Sequence, residues 1–281
     1  NCEQVMECMG DTLGKLNAKI EAQGTEIQNL EGTVTTQGQT ITAQGNTIDS
    51  LAHIVDSLSR LPHGGDTPTD TFDCGTDKVK DAQNNEYNTV QIGDQCWTKE
   101  NLRTRLGTAG DYGYPTNVTG DDTVTYGRLY SWAAVMQGAD ASSDVPSHIQ
   151  GICPEGWHVP SDGEWGNLIN YVKSQTNYKC GDDQDNIAKA LASQTIWNTD
   201  DTNCNVGNTS TTNNKTGFSA VPAGEYSGDS CANKGANAYF WSTTKINDIV
   251  RYYILGSDSS IVSQGFEFSE NMGLSVRCLR N

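Results

Sequence analysis

Between Leu13 and Leu58 an apolar or amide side chain returns every three and then every four residues. The a series is Leu13, Ile20, Ile27, Val34, Ile41, Ile48 and Val55, and the d series is Leu16, Gln23, Leu30, Gln37, Gln44, Leu51 and Leu58. A seam this narrow fits a helix that faces another helix, because a helix lying on a globular core carries a wider apolar face. The repeat predicts a coiled-coil stalk over residues 1–61. Gly24, Gly32, Gly38 and Gly45 each cost such a helix roughly 1 kcal/mol relative to alanine, so association has to offset them. The stalk therefore implies a homo-oligomer. Isoleucine at a with leucine at d leans towards a dimer, but the glutamine layers at d weaken that preference, and a trimer is expected over a dimer. At ~1.5 Å per residue the seam extends roughly 70 Å. Carried backwards, the register puts Cys2 and Met9 at d and Met6 at a. Cys2 and Cys8 then form either interchain disulfides or one local bridge.

The run "PHGGDTPTDT" after Leu61 can continue no helix. It reads as a linker over residues 62–71, with a second domain over 72–281. Composition narrows what that domain does. The 281 residues carry a net charge of −17, which opposes binding to nucleic acid or to an anionic lipid surface. Nine cysteines lack the CxxC pairs of a zinc site, and the four histidines lie scattered, so disulfides in an oxidising compartment are the expectation. No apolar run approaches the ~20 residues of a membrane span. No secretory leader is visible either, so the chain reads as the mature portion of an exported protein, secreted or on the cell surface.

The second domain carries all six tryptophans. Short apolar runs predict strands over 88–92, 218–222, 238–242, 250–255 and 274–279. Helices are expected over 130–137, 162–174 (with Trp165, Leu168, Ile169 and Val172 on one face) and 186–192. Strands and helices are segregated, which makes the class α+β. The stretch "ICPEGWHVPSDGEW" (152–165) packs a cysteine, a histidine and acids together, as an active site would. Its spacing says otherwise. Ser161 and Glu164 form a capping box for the helix that follows. Trp157 and Trp165 read as core aromatics. His158 reads as a packed or surface histidine, since no nucleophile is paired with it.

Six blocks occur in order: "TVQIGDQCWTKENLR", "YGRLYSWAAVM", "ICPEGWHVPSDGEW", "GFSAVPAGEY", "AYFWSTT" and "SVRCLR". Together they resemble the Fibrobacter succinogenes major paralogous domain family, which is widespread in Bacteroidota. The resemblance covers residues 72–281. It implies a C-type lectin-like head, of the fold shared with formylglycine-generating enzymes, on the coiled-coil stalk. It further implies that Cys153 pairs with Cys278, with Cys74–Cys96 and Cys180–Cys204 as the natural local pairs. Cys231 is left over: free, capped or bridged to another chain.

The formylglycine-generating relatives use a close pair of reactive cysteines, which one leftover thiol cannot supply, so no enzyme is expected. The calcium-and-sugar motifs of C-type lectins are also absent. The acidic clusters at 181–185 and 200–203 offer oxygen ligands for calcium, but without EF-hand spacing they read as solvated loops. The region 245–273, which the resemblance places on the ligand-binding face, is rich in Asn, Ser, Tyr and Phe, a mixture suited to an adaptable binding surface. Candidate contacts are Asn247, Asp248, Arg251, Tyr253, Ser257, Asp258, Ser260, Gln264, Phe266, Phe268 and Asn271. Some family members resemble targets of diversity-generating retroelements, which vary this face. Alternation sets Arg251, Tyr253 and Leu255 on one side of a strand and Tyr252 and Ile254 on the other, leaving the outward side open. An ordinary β-meander is the plainer reading. The expected function is adhesin-like binding of a glycan or protein on a host or neighbouring cell. The alternative is a structural tip subunit of a pilus or phage fibre.

Overall fold

The computed structural model describes residues 19–21, 23–25, 27, 37, 72–107, 110–113, 123–227, 230–267 and 272–281. The chain divides into two compact units, Asn1–Asp70 and Thr71–Asn281. The described residues of the first unit are helical and exposed. Thr25 turns its hydroxyl back onto the Glu21 carbonyl (3.1 Å), and Ile20 and Ile27, one heptad apart, are 57% and 56% exposed. Gln23 and Gln37, two of the expected d layers, are likewise helical and exposed, whereas the remaining layers of the expected seam, Cys2, Cys8 and the linker lie outside the described residues.

The second unit mixes short helices with a larger share of strand. Strands β1 (Lys78–Lys80), β2 (Glu86–Ile92) and β3 (Gln95–Thr98) form consecutive antiparallel hairpins. Asp81 closes the first of them. Its carboxylate accepts from the backbone N–H groups of Gln83 and Asn85 and from the side chains of Asn85, Tyr87 and Thr104. The chain's last strand, β12 (Leu279–Arg280), inserts between β3 and β6 (Trp157–His158), completing a five-stranded sheet in the order β1-β2-β3-β12-β6. A second sheet follows the order β11-β10-β9, built from β9 (Asn237–Ile246), β10 (Ile249–Gly256) and β11 (Ser263–Glu267). Two ribbons, β4–β5 (Asp111–Gly113, Leu129–Tyr130) and β7–β8 (Glu225–Ser227, Ser230–Ala232), flank them.

The segment before β12 ties these pieces together. Gly273 bridges Tyr226 of β7, Leu274 bridges Tyr130 of β5, and Ser275 bridges Phe240 of β9. Val276 and Cys278 carbonyls then accept from Leu102 and Thr98. Cys278 is bonded to Cys153, while Cys74–Cys96 and Cys180–Cys204 close shorter loops, the same pairs that the resemblance implies.

Both faces of the β9–β10 pair are covered. Trp241, Tyr239 and Val250 lie in one apolar cluster, against which Tyr252 and Ile254 pack. Ala238, Phe240, Tyr253 and Leu255 lie in the other, with Trp165, Leu168 and Val172 of helix α3 (Asp162–Ser174). Burying both faces explains why β9 runs as seven consecutive buried residues, with no polar alternation.

Helix α3 begins and ends where its sequence predicts. Ser161 Oγ accepts from the Glu164 N–H (3.3 Å), and Glu164 Oε2 accepts from the Ser161 N–H (2.9 Å). Two other helices are shorter than expected, α2 being Trp132–Met136 and α4 Ala188–Leu191, and a further one, α1 (Thr123–Tyr126), was not foreseen. The strand expected over 218–222 does not form. Ser219 has φ 57, and the Phe218 and Ser219 carbonyls accept instead from the guanidinium of Arg277 (2.7 and 2.9 Å). A single bridge from Ala220 to Ala192 remains.

Candidate functional site

The stretch 152–165 that imitates an active site is framework. His158 is 1% exposed, and its ring nitrogens meet Glu164 Oε1 (2.7 Å) and Asn281 Oδ1 (2.6 Å). Glu164 is already engaged by the Ser161 and Ser147 N–H groups. Cys153 is consumed in its disulfide. Cys231 stands outside the three bridges, on β8 opposite Tyr226. In the acidic loops, Asp200 Oδ1 accepts from Thr202 and Asn205, and Asp185 pairs with Lys173 (2.5 Å). Among the described residues no group of three or more His, Cys, Asp or Glu is placed to hold a metal ion.

The candidate contact residues separate into three places. Arg251, Tyr253, Gln264 and Phe266 share the face of β10 and β11 that looks towards α3, because Arg251 is paired with Phe266 and Tyr253 with Gln264. Tyr253 is 5% exposed and its ring stacks on Trp165 at 4.9 Å, so the ring belongs to the core and only the hydroxyl reaches the patch. That hydroxyl donates to Asp162 Oδ1 (2.6 Å), and Gln264 Nε2 donates to the same oxygen. Burial first, and then the bond to Asp162, push the Tyr253 hydroxyl above the usual phenol range, so it remains a donor at neutral pH. Gln264 Oε1 in turn accepts from Arg251 Nη1 (3.2 Å). The guanidinium lies over the Phe266 ring at 4.2 Å, and that ring is 52% exposed.

Asn247 and Asp248 form the turn between β9 and β10, with φ 50 and 63. Two left-handed residues in a two-residue turn match the right-handed twist of the strands they join, and Asn and Asp tolerate that conformation best after glycine. Asp248 pairs with Lys245 (3.4 Å), whose ammonium sits 5.7 Å from the Trp132 ring. These residues, with Asp140, line an open groove of about 540 Å³. Lys245 is opposite Val250, so the groove lies on the other face of the sheet from Arg251.

Ser257, Asp258 and Ser260 sit at the far end of β10. Its eight residues span about 25 Å, too far for one small ligand to touch both ends. There the loop is anchored rather than presented: Ser257 is 7% exposed, and the Ser257, Ser259 and Ser260 carbonyls accept from Gly207, Val206 and Ala188. Asp258 alone is well exposed in that group. Phe268 and Asn271 lie outside the described residues.

Asp162, which organises the Arg251 patch, was not among the sequence candidates. Its one local signal is its place directly after the Ser161 cap, which puts it at the first turn of α3 beside the sheet. Among the described residues no helix is long and apolar enough to cross a membrane.

No curated protein and no solved structure matches the chain. A family model described as the Fibrobacter succinogenes major domain matches residues 90–280, from within β2 to the last strand, and the chain belongs to that family.

Proposed function

We propose that this chain is an adhesin-like binding protein, secreted or displayed on the cell surface, that acts by binding and not by catalysis. In this reading a coiled-coil stalk gathers several C-type lectin-like heads, three in preference to two, and each head binds a glycan or protein on a host or neighbouring cell. The observation that carries it is the Arg251–Gln264–Asp162–Tyr253 chain of hydrogen bonds beside the exposed Phe266 ring. A donor fork and an aromatic ring already held in place lose little freedom on binding. The exposed Ile20 and Ile27 support the stalk, since a second copy of the helix would bury them. Three disulfides accord with an oxidising compartment.

The test compares the intact chain with a variant carrying Ile20→Asp and Ile27→Asp on an array of glycans and host surface proteins, with and without a calcium chelator. The intact chain is expected to be oligomeric in sedimentation and to retain a ligand. The variant is expected to be monomeric and to bind about 10²- to 10⁴-fold more weakly through lost avidity. An oligomer that binds nothing on the array sinks the reading in favour of a structural subunit of a pilus or fibre. A chelator that abolishes binding assigns the contact to calcium at another place on the head.

A further inference from the structure

The open edge of the β11-β10-β9 sheet specifies the chemistry of a partner; this inference rests on the binding reading above. β11 is the outer strand, and among the described residues nothing beyond β10 hydrogen-bonds its backbone. A glycine's exposure is that of its backbone. Gly265 is buried between the exposed Gln264 and Phe266, so it turns its N–H and C=O towards β10 while its two neighbours turn theirs outwards. Lysine, proline and a bulge, which commonly blunt an edge, are absent from "SQGFE", whose register with β10 is unbroken from Ser263 to Glu267. Such a row of outward donors and acceptors can take up an added strand.

The two faces of this edge call for different side chains. On the α3 face the Arg251 guanidinium, reaching from β10, covers the Phe266 ring from the inner side, yet the ring stays 52% exposed. An apolar side chain fits beside it, and the guanidinium repels a second cation. On the other face the Tyr252 ring lies across Gly265, where a Cβ would collide with it, and carries its hydroxyl onto the edge strand. That hydroxyl meets no donor or acceptor among the described residues. Burial first, and then the nearby charges of Glu225 and Glu267, push it above the usual phenol range. A lysine or arginine side chain fits there, and the net charge of −17 favours a basic partner. A second copy of β11 would bring no cation to that face, because "SQGFE" carries none. We propose that β11 takes up an extended segment of a partner protein as a further strand, with apolar residues beside Phe266 alternating with basic residues beside Tyr252 and Glu267.

The experiment adds a capped peptide of about nine alternating valine and lysine residues, a common strand length, to the full chain and follows amide hydrogen exchange. Protection is expected to rise in residues 263–267. Methylating every valine nitrogen or every lysine nitrogen blocks one edge of the peptide or the other, so one series is expected to bind at least about tenfold more weakly than its counterpart. Glu267→Lys is expected to erase the preference for this peptide over one that alternates valine with glutamate. An unprotected 263–267, or equal binding of the two methylated series, overturns the inference. If raising the concentration of the chain alone protects 263–267, the edge belongs to a second copy and the inference falls. If the chain retains a ligand from the array while the peptide leaves 263–267 unprotected, the binding reading survives without it. If neither binds, both fall.

Discussion

Asp81 illustrates how one buried carboxylate is made to serve as a joint. Burial alone pushes its pKa up, but hydrogen bonds from Thr104, Asn85 and Tyr87 pull it down further, and the net position is below its ordinary 3.8. A depressed carboxylate stabilises the fold wherever it is ionised. Its contribution is therefore complete above pH 3.8 and is lost as pH falls through the lower folded value. Urea titrations from pH 6 downwards should show stability falling in that acid window, and Asp81→Asn should flatten the fall while lowering stability at neutral pH. An unchanged acid limb in the variant would remove Asp81 from the account. Arg277 plays a comparable part deeper in the molecule. Burial pulls its pKa down to about 9, which still leaves it charged at neutral pH. Asn101 Oδ1, the Thr98, Phe218 and Ser219 carbonyls and the faces of Phe218 and Phe240 together solvate that charge.

At the level of elements, α3 is the piece most completely written in local sequence, because a capping box needs only residues three apart. Ser161→Ala should cost about 1 kcal/mol, or a fall in melting temperature of about 2–4 °C for a unit of this size. Glu164→Ala should cost more. It removes the cap and also leaves the Ser147 N–H and His158 without their acceptor. Calorimetry on the two variants checks the order, and equal losses would mean that the buried contacts of Glu164 contribute nothing beyond the cap. The segment 218–222 shows the opposite case. Its apolar run up to Pro222 reads locally as a strand, but the Phe218 and Ser219 carbonyls are taken by Arg277, some 60 residues further along the chain. No local pattern carries that information.

For the second unit as a whole, the decisive element is the end of the chain. Segment 272–280 touches both main sheets and both ribbons, and the Cys153–Cys278 disulfide closes a separation of 125 residues within it. In the loop-entropy account, removing that bridge should cost about 4–5 kcal/mol, against about 3 kcal/mol for Cys180–Cys204 with its separation of 24. Paired Cys→Ala variants in guanidinium unfolding give the comparison directly. A larger loss at Cys180–Cys204 would show that local order around 180–204, and not closure of the long loop, governs stability.

Sequence alone determined the α3 cap, the core placement of Trp157 and Trp165 and the family. Each rests on spacing within a few residues or on a run of local motifs. The alternation of Arg251 with Tyr252 was equally legible. Which of them reaches solvent was not, because both faces of β9–β10 are covered and polarity no longer marks the outside. Tertiary structure alone decided that the Tyr253 ring enters the core while Arg251 and Phe266 remain at the surface. It also placed Asp162, 102 residues away from Gln264, as the shared acceptor that orders the patch. That contact depends on a helix start and a late strand meeting in space. Separations of that length are set by how whole faces pack, and no periodicity in the chain encodes them.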